Sequence, residues 1–181
     1  MMYFHGTNSI IGVVDLNKSR LRTDFGKGFY FANKIGTVQG WATRRSMVSG
    51  GIPTILQYEI SSDLFNLKGK KFHNNPTIEW LEFISHNRQH SYTGSDKGEP
   101  RHEYNWVSGP IANDDIADVV DEFLAGEITA EAAVHRARAL PQTYQLSLHT
   151  QLAAEIISEK NVSYRQFKNG RWTKDWLKRN I

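Results

Sequence analysis

The sequence predicts one α+β domain, and three observations carry this prediction. Segments that alternate polar and apolar residues, as strands do, are interspersed with segments whose apolar residues recur every three or four positions, as in helices. A chain of 181 residues is long enough for one hydrophobic core and short for two. The chain contains no cysteine, which excludes disulfides, thiolate metal sites and cysteine nucleophiles.

Two strands and a helix are predicted first. Residues 2–6 and the aromatic residues 29–32 have the composition of strands. Asn33 can cap a helix that runs to about Met47, because apolar side chains share one face of that segment. Glycines and a proline within residues 50–53 end this helix.

The central region predicts a strand, a helix and a loop. Residues 54–60 alternate apolar and polar side chains, which is typical of a half-buried strand. A helix opens at Pro76 and carries an apolar stripe. Residues 86–103 are polar and contain glycine and proline, and we expect a long mobile loop there.

The last third predicts a strand, two helices and a further strand. Residues 106–111 form the first strand, and Asp114 opens a helix whose apolar side chains recur at the spacing of a core face. Gly126 terminates that helix, and Thr129 caps the next one. Residues 144–149 alternate again and form the second strand.

The segment 25–32 reads Phe-Gly-Lys-Gly-Phe-Tyr-Phe-Ala and carries a candidate binding surface. Gly26 and Gly28 allow a backbone to approach a ligand closely or to adopt positive φ. Tyr30 projects from the opposite face of its strand to its two phenylalanine neighbours, where it can stack on a flat ligand ring. A glycine turn that simply precedes a buried strand explains the segment equally well.

A second candidate lies at the end of the first strand, where the sequence reads His5-Gly6-Thr7. The imidazole can donate or accept at either nitrogen, and a glycine leaves its backbone N–H and C=O open to a ligand. A histidine at a strand end is more often a structural residue than a ligand contact, so this segment alone favours the structural interpretation.

Together, the two segments resemble the NAD-binding core of the ADP-ribosyltransferase superfamily, most closely its poly(ADP-ribose) polymerase and diphtheria-toxin-like branch. The resemblance implies a split β-sandwich with a central NAD cleft and peripheral helices. It also implies that His5 holds the adenine-side ribose, that Gly6 holds the nicotinamide amide through its backbone, and that Tyr30 stacks on the nicotinamide ring. In that branch a second aromatic residue, eleven positions after the tyrosine, closes the sandwich, and Trp41 stands at this position. The implied NAD-binding residues are His5, Gly6, Thr7, Gly28, Tyr30 and Trp41.

Further segments at 106–115, 123–129 and 144–150 resemble a bacterial family of uncharacterised function in the same superfamily, which often occurs in toxin–antitoxin neighbourhoods. The similarity implies a catalytic domain at residues 1–157 and leaves a basic and aromatic tail at 158–181.

Gln145 completes the implied catalytic set of His5, Tyr30 and Gln145. Alternation in its strand places Gln145 on the polar face, toward the cleft. The polymerases have a glutamate here that binds the 2′-hydroxyl of the nicotinamide ribose and stabilises the cationic sugar. A neutral amide can position the hydroxyl but supplies no negative charge, so we expect transfer of single ADP-ribose units. Val38 is a second departure, because the polymerases place a serine there.

The expected function is therefore a mono-ADP-ribosyltransferase toxin, with NAD as co-substrate and no metal. Its partners would be a macromolecular acceptor, protein or nucleic acid, and an antitoxin protein. A catalytically weak NAD or ADP-ribose-binding module and an NAD glycohydrolase are the alternatives. No signal peptide and no apolar run near the ~18 residues of a membrane span are visible, so we expect a cytoplasmic protein without a membrane partner.

Charged residues allow several weaker hypotheses. The net charge of +3 is only mildly basic. The tail interleaves its basic residues with aromatic ones, which suits either a terminal helix docked on the core or a single-stranded nucleic-acid surface, and we favour the docked helix. Arg20, Arg22 or Lys27 could neutralise the pyrophosphate. The spacing of His86, His90 and His102 fits no common zinc pattern, and Asp114 and Asp115 suit a helix N-terminus better than catalysis.

Overall fold

A computed structural model describes residues 1–21, 23–88, 100, 102–158 and 162–178. The strands are β1 (Met2–Thr7), β2 (Phe29–Ala32), β3 (Thr54–Glu59), β4 (Gly69–Lys71), β5 (Trp106–Pro110), β6 (Tyr144–Leu148), β7 (Ser163–Lys168), β8 (Arg171–Trp172) and β9 (Leu177–Lys178). The α-helices are α1 (Ile35–Ser49), α2 (Ile78–Arg88), α3 (Asp114–Leu124), α4 (Ala130–Ala139) and α5 (Gln151–Ser158). Short 3₁₀ helices lie at Leu16–Lys18 and Ser62–Asn66.

The described strands form one mostly antiparallel sheet. Together with the described helices, this sheet confirms that the chain mixes α and β elements, as the sequence predicts. The strand order is β4-β5-β6-β2-β1-β3-β7-β8, with β9 also paired to β7, and the only parallel neighbours in this described set are β4 and β5. The centre of the sheet is therefore built from β6, β2, β1 and β3, which come from distant parts of the sequence.

Helices cover both faces of the sheet. On one face, Phe29, Phe31 and Leu146 pack against apolar residues of α5. On the other face, α1 covers β1 and β3, while α2, α3 and α4 pack over β5 around Trp80 and Val107. The predicted helix α3 is confirmed. Its core-face side chains Ile116, Val119 and Val120 are buried in the cluster around Trp80 and Val107. No described helix is long and apolar enough to cross a membrane.

Two element predictions are wrong. Asn33 does not cap α1, since its Oδ1 instead accepts a hydrogen bond from the Tyr144 backbone N–H (3.3 Å), and Lys34 stands at the N-cap without a side-chain bond. The tail forms strands rather than a helix. Asn169 and Gly170 both have positive φ (52° and 75°) and make the two-residue turn that joins β7 to β8.

The aromatic residues of these C-terminal strands pack on the domain. The Trp176 ring stacks on Phe4 of β1 with centroids 5.9 Å apart, and the Arg165 guanidinium lies 4.7 Å from the centroid of Trp176. Most of the predicted loop at 86–103 lies outside the described residues, and α2 continues through the first three of its positions.

Candidate functional site

The sheet opens between β1 and β2. β1 pairs with β3 at six positions but with β2 only at Phe4, opposite Ala32. Next to that pair, the His5 imidazole bridges the two strands, because its Nδ1 lies 2.7 Å from the Tyr30 carbonyl oxygen. A carbonyl oxygen can only accept, so Nδ1 carries the hydrogen and donates it.

His5 is held as a neutral ring in this opening. Its imidazole stacks on Phe29 with centroids 4.0 Å apart and planes inclined by 21°. Burial, with a smaller effect from the charge of Arg45 on α1, lowers the pKa of His5 to about 4, although the bond to the Tyr30 carbonyl opposes this shift. With the hydrogen on Nδ1, the Nε2 atom of the neutral ring is a hydrogen-bond acceptor.

The backbone of Gly6 faces the same opening. Met1 and Ile60 extend the ladder between β1 and β3, and the Ile60 N–H donates to the Met1 carbonyl (2.8 Å). The backbone N–H and C=O groups of the odd-numbered residues in this strand therefore point toward β3. Residues alternate along an antiparallel strand, which directs the N–H and C=O of Phe4 and Gly6 toward β2. Gly6 lies beyond the single pair that joins the two strands, where no backbone pair links them.

Helix α1 lies directly over Gly6. A Cβ at this position would lie 2.2 Å from the Val38 carbonyl oxygen and 3.1 Å from the Cβ of Trp41. Glycine is therefore required for helix packing at this point, whether or not a ligand binds there. The same contact places the half-buried Trp41 beside the opening.

Tyr30 is anchored through its phenol group. The hydroxyl donates to the Gly26 carbonyl (2.6 Å), accepts from the Phe25 N–H (3.0 Å), and lies 2.8 Å from the Thr23 hydroxyl. Burial raises the pKa of Tyr30 well above its usual range, so the phenol stays neutral. Its ring is half-buried and stacks loosely on Phe25, with centroids 6.4 Å apart.

The implied ring-binding residues divide between the two faces of the sheet. Tyr30 lies on the same face as Ala32, which is packed near Trp41 and α1, whereas His5 lies on the face of Phe29. Tyr30 and Trp41 make no ring contact with each other in the part of the chain that the structure describes. The structure thus brings Gly6 and Trp41 together on one face, and it connects His5 to Tyr30 only through the backbone of Tyr30.

Gln145 shares the face of Tyr30, as its position in the alternating strand predicts. It stands opposite Ala32 in the ladder between β2 and β6 and is only 3% exposed. Its Nε2 donates to Asp24 Oδ2 (2.6 Å) and lies 3.3 Å from the Pro110 carbonyl oxygen. The amide is therefore fixed by two acceptors at its nitrogen end.

Asp24 and Arg88 belong to this site, although the sequence analysis did not identify them. Asp24 is 7% exposed, and its Oδ1 accepts from Arg88 Nε (3.0 Å) and Nη2 (2.6 Å). The Ala112 N–H donates to the other carboxylate oxygen (2.9 Å). In the sequence, only the neighbouring glycine motif suggests a functional role for Asp24. Nothing in the sequence suggests one for Arg88, which lies 64 positions away.

A serine and two histidines extend the polar face beyond Gln145. The Ser147 hydroxyl lies 2.7 Å from His149 Nε2, and His149 Nδ1 lies 3.0 Å from the Lys27 carbonyl oxygen. Burial lowers the pKa of His149 to about 3, so its neutral ring donates to Lys27 and accepts from Ser147. This is the arrangement of a nucleophile and a base, but Ser147 is fully buried and out of reach of a macromolecular acceptor.

His102 packs against this pair. Its ring centroid lies 4.6 Å from that of His149, and its Nε2 donates to the Phe25 carbonyl oxygen (2.9 Å). Burial lowers the pKa of His102 as well. Of the other histidines weighed for zinc, His90 lies outside the described residues, and no group of three or more potential metal ligands occurs among the residues that the structure does describe.

The remaining implied residues have structural partners. A Cβ at Gly28 would lie 2.7 Å from the Leu148 carbonyl oxygen and 2.8 Å from His149 Nδ1, so glycine allows the loop to pack on the end of β6. Thr7 is buried and pairs with Thr54 of β3. Of the cations considered for pyrophosphate, Arg20 is exposed, Lys27 is half-buried and Arg22 lies outside the described residues.

Two surface cavities lie away from the opening. One, of about 670 Å³, is lined by residues of 71–77 with Arg138, and the other, of about 600 Å³, is lined by the C-terminal strands. Neither is lined by His5, Tyr30 or Gln145.

Comparison with known families identifies the chain at the family level. The model of a family described as a protein of unknown function, DUF3990, matches residues 1–158. The chain belongs to the DUF3990 family. No curated protein and no solved structure matches it. Every residue of the opening and of the polar face lies within the matched range, whereas β7, β8 and β9 follow it.

Proposed function

We propose that this member of the DUF3990 family is a mono-ADP-ribosyltransferase that takes NAD as co-substrate and modifies a protein or nucleic acid. The observation that carries the proposal is the opening between β1 and β2, toward which the backbone of Gly6 points. A backbone N–H next to a C=O can bind both ends of a carboxamide such as that of nicotinamide. The single pair between β1 and β2 supports the cleft of the proposed fold, an ADP-ribosyltransferase-like split β-sandwich.

The neighbouring side chains suit the rest of the dinucleotide. Trp41 lies beside Gly6 on one face, and strand alternation places Tyr30 on the same face, although the two rings pack in separate apolar clusters. A pyridinium ring between two aromatic rings gains stacking and cation–π energy. The acceptor Nε2 of His5 suits a ribose hydroxyl, and the exposed Arg45 nearby suits a phosphate.

The proposed reaction breaks the bond between the nicotinamide nitrogen and ribose C1′. The electron pair leaves with nicotinamide, which becomes neutral, and an acceptor nucleophile forms the new bond to C1′ and loses its proton. Gln145 supplies an amide oxygen near the sugar but no full charge, so positioning carries most of the rate enhancement. This is the reason for proposing transfer of single units rather than polymerisation.

Labelling with NAD tests the proposal. The protein is incubated with NAD labelled in the adenylate phosphate, together with total cell protein, RNA or DNA. We expect label in one of these macromolecules. Free ADP-ribose alone would instead identify a glycohydrolase, and binding without any turnover would identify an NAD-binding module.

His5→Ala makes the test specific for the opening, and His135→Ala is the matched control. His135 is exposed on α4 and belongs to none of the site contacts described above. We expect His5→Ala to abolish labelling while His135→Ala keeps it. Equal labelling in both variants contradicts the proposed site. The proposed toxin role is tested by growth on expression, which should recover in His5→Ala alone.

A further inference from the structure

The Asp24 carboxylate beside Gln145 accepts four hydrogen bonds. Arg88 donates two hydrogen bonds to Oδ1, and the Ala112 N–H and the Gln145 amide each donate one to Oδ2. These four hydrogen bonds come from three donor residues, and they satisfy both oxygens of the buried carboxylate. Arg88 forms an ion pair with this buried carboxylate.

These contacts determine which way the Gln145 amide points. The terminal atom of Gln145 that faces Asp24 and the Pro110 carbonyl has two acceptors around it, and only the NH₂ group can donate to both. Rotating the amide by half a turn would place its oxygen 2.6 Å from a carboxylate oxygen. The Oε1 atom therefore points away from Asp24 and is left to accept a hydrogen bond from another group.

We propose that Asp24 is a positioning residue for the reaction: it holds the Gln145 amide so that Oε1 accepts a hydrogen bond from a ribose hydroxyl. This inference rests on the proposed function. Hydrogen bonding from Nε2 to a carboxylate also polarises the amide and makes Oε1 a better acceptor. Arg88 neutralises the charge of Asp24. Asp24 therefore acts on Gln145 more by orienting its amide than by its negative charge.

A pair of exchanged side chains tests this role. In Asp24→Asn, one amide oxygen replaces two carboxylate oxygens, so Gln145, Ala112 and Arg88 compete for it and the Gln145 amide loses its fixed direction. We expect kcat for NAD to fall roughly 10- to 100-fold, as for a displaced reacting group, with KM changed less than about 3-fold. In the double variant Asp24→Asn/Gln145→Glu, the NH₂ group introduced by the first substitution donates to the carboxylate introduced by the second, and we expect kcat to recover. A purely structural Asp24 predicts no recovery.

Gln145→Glu alone keeps the test decisive if Asp24→Asn does not fold. It restores the carboxylate that the resembling polymerases carry, but it places that group against the Asp24 carboxylate. We expect a lower kcat than in the wild type, and a higher one overturns the inference. Asp121→Asn is the control, because Asp121 contributes charge near Arg88 and is an exposed residue of α3.

The outcomes separate the inference from the proposed function. A wild-type protein that leaves NAD intact overturns the proposed function and, with it, this role. An active wild type whose Asp24→Asn variant keeps the wild-type kcat overturns the positioning role alone. Circular dichroism of each variant confirms that the fold is retained before rates are compared.

Discussion

The His5 imidazole donates from Nδ1 to the carbonyl oxygen of Tyr30, 2.7 Å away, across the opening between β1 and β2. A side chain thus takes the place of a backbone donor at the point where the ladder between the two strands stops. The bond holds the strands at a defined separation and fixes the tautomer of His5. It also connects stability to the protonation of the ring.

The first prediction concerns this pH dependence. Burial lowers the pKa of His5 to about 4 and that of His149 to about 3, both below the ordinary value of 6.5. Below about pH 6.5 these two histidines bind protons in the unfolded chain but remain neutral in the folded chain. The free energy of unfolding therefore falls as the pH drops below about 6.5. We expect the free energy of unfolding to decrease between pH 6.5 and 4 by at most about 1.4 kcal/mol per pH unit for each of these histidines.

Urea unfolding at pH 7.5, 6 and 5 measures this slope. His5→Gln should flatten it, because glutamine can donate to the Tyr30 carbonyl without titrating. The same exchange at the exposed His135 is the control. A His5→Gln variant with the wild-type slope would show that His5 is not buried as a neutral ring.

The second prediction concerns the contact between Gly6 and helix α1. A methyl group at Gly6 would overlap the Val38 carbonyl oxygen, whereas Gly40, in the same helix, has open space around it. We expect Gly6→Ala to destabilise the protein by about 1–3 kcal/mol through overpacking. Gly40→Ala should stabilise it by about 0.5–1 kcal/mol through helix propensity. Thermal unfolding of the two variants measures both effects, and equal shifts would contradict the observed approach of α1 to β1.

Short-range signals predicted much of the fold. The apolar spacing of α3 and the alternation of β6 are local patterns, and Thr129 caps α4 as its residue type predicts. Asn33 has an equally good capping side chain, but its Oδ1 accepts a hydrogen bond from the Tyr144 N–H of a distant strand instead. Asn169 and Gly170 form a turn between two strands, so the segment does not form the helix that the spacing of the following tryptophans predicted.

The site was predictable only in part, for a physical reason. Motifs indicate residues such as His5 and Tyr30, which lie within two positions of a glycine in short recognisable segments. Asp24 and Arg88 meet only because β5 and β6 bring α2 next to the glycine loop, and no local pattern encodes a contact over 64 positions. Alternation predicted the face of β6 on which Gln145 lies, but the contact with the carboxylate that orients its amide could be found only from the structure.

The third prediction concerns Trp41 as a stacking surface. If nicotinamide lies between Trp41 and Tyr30, removing one ring costs roughly 1–3 kcal/mol of binding energy. We expect Trp41→Ala to raise the Kd for NAD about tenfold or more, while Trp41→Phe stays close to the wild type. Isothermal titration measures the Kd directly. Trp172→Ala, which removes a half-buried tryptophan of the C-terminal strands, controls for a general loss of packing. An unchanged Kd in Trp41→Ala would count against the proposed binding mode.

The fourth prediction compares two arginine–aspartate pairs. Arg88 and Asp24 have side-chain exposures of 19% and 8%, whereas Arg44 and Asp114 have exposures of 68% and 84%. Removing one partner of a buried pair leaves an uncompensated charge, and we expect Arg88→Met to cost about 3–5 kcal/mol. Arg44→Met should cause no measurable change, because water screens the exposed pair. Chemical denaturation of both variants measures this difference. If Arg88→Met unfolds at the same denaturant concentration as the wild type, Arg88 does not stabilise the Asp24 carboxylate. The carboxylate that orients Gln145 must then be stabilised in another way.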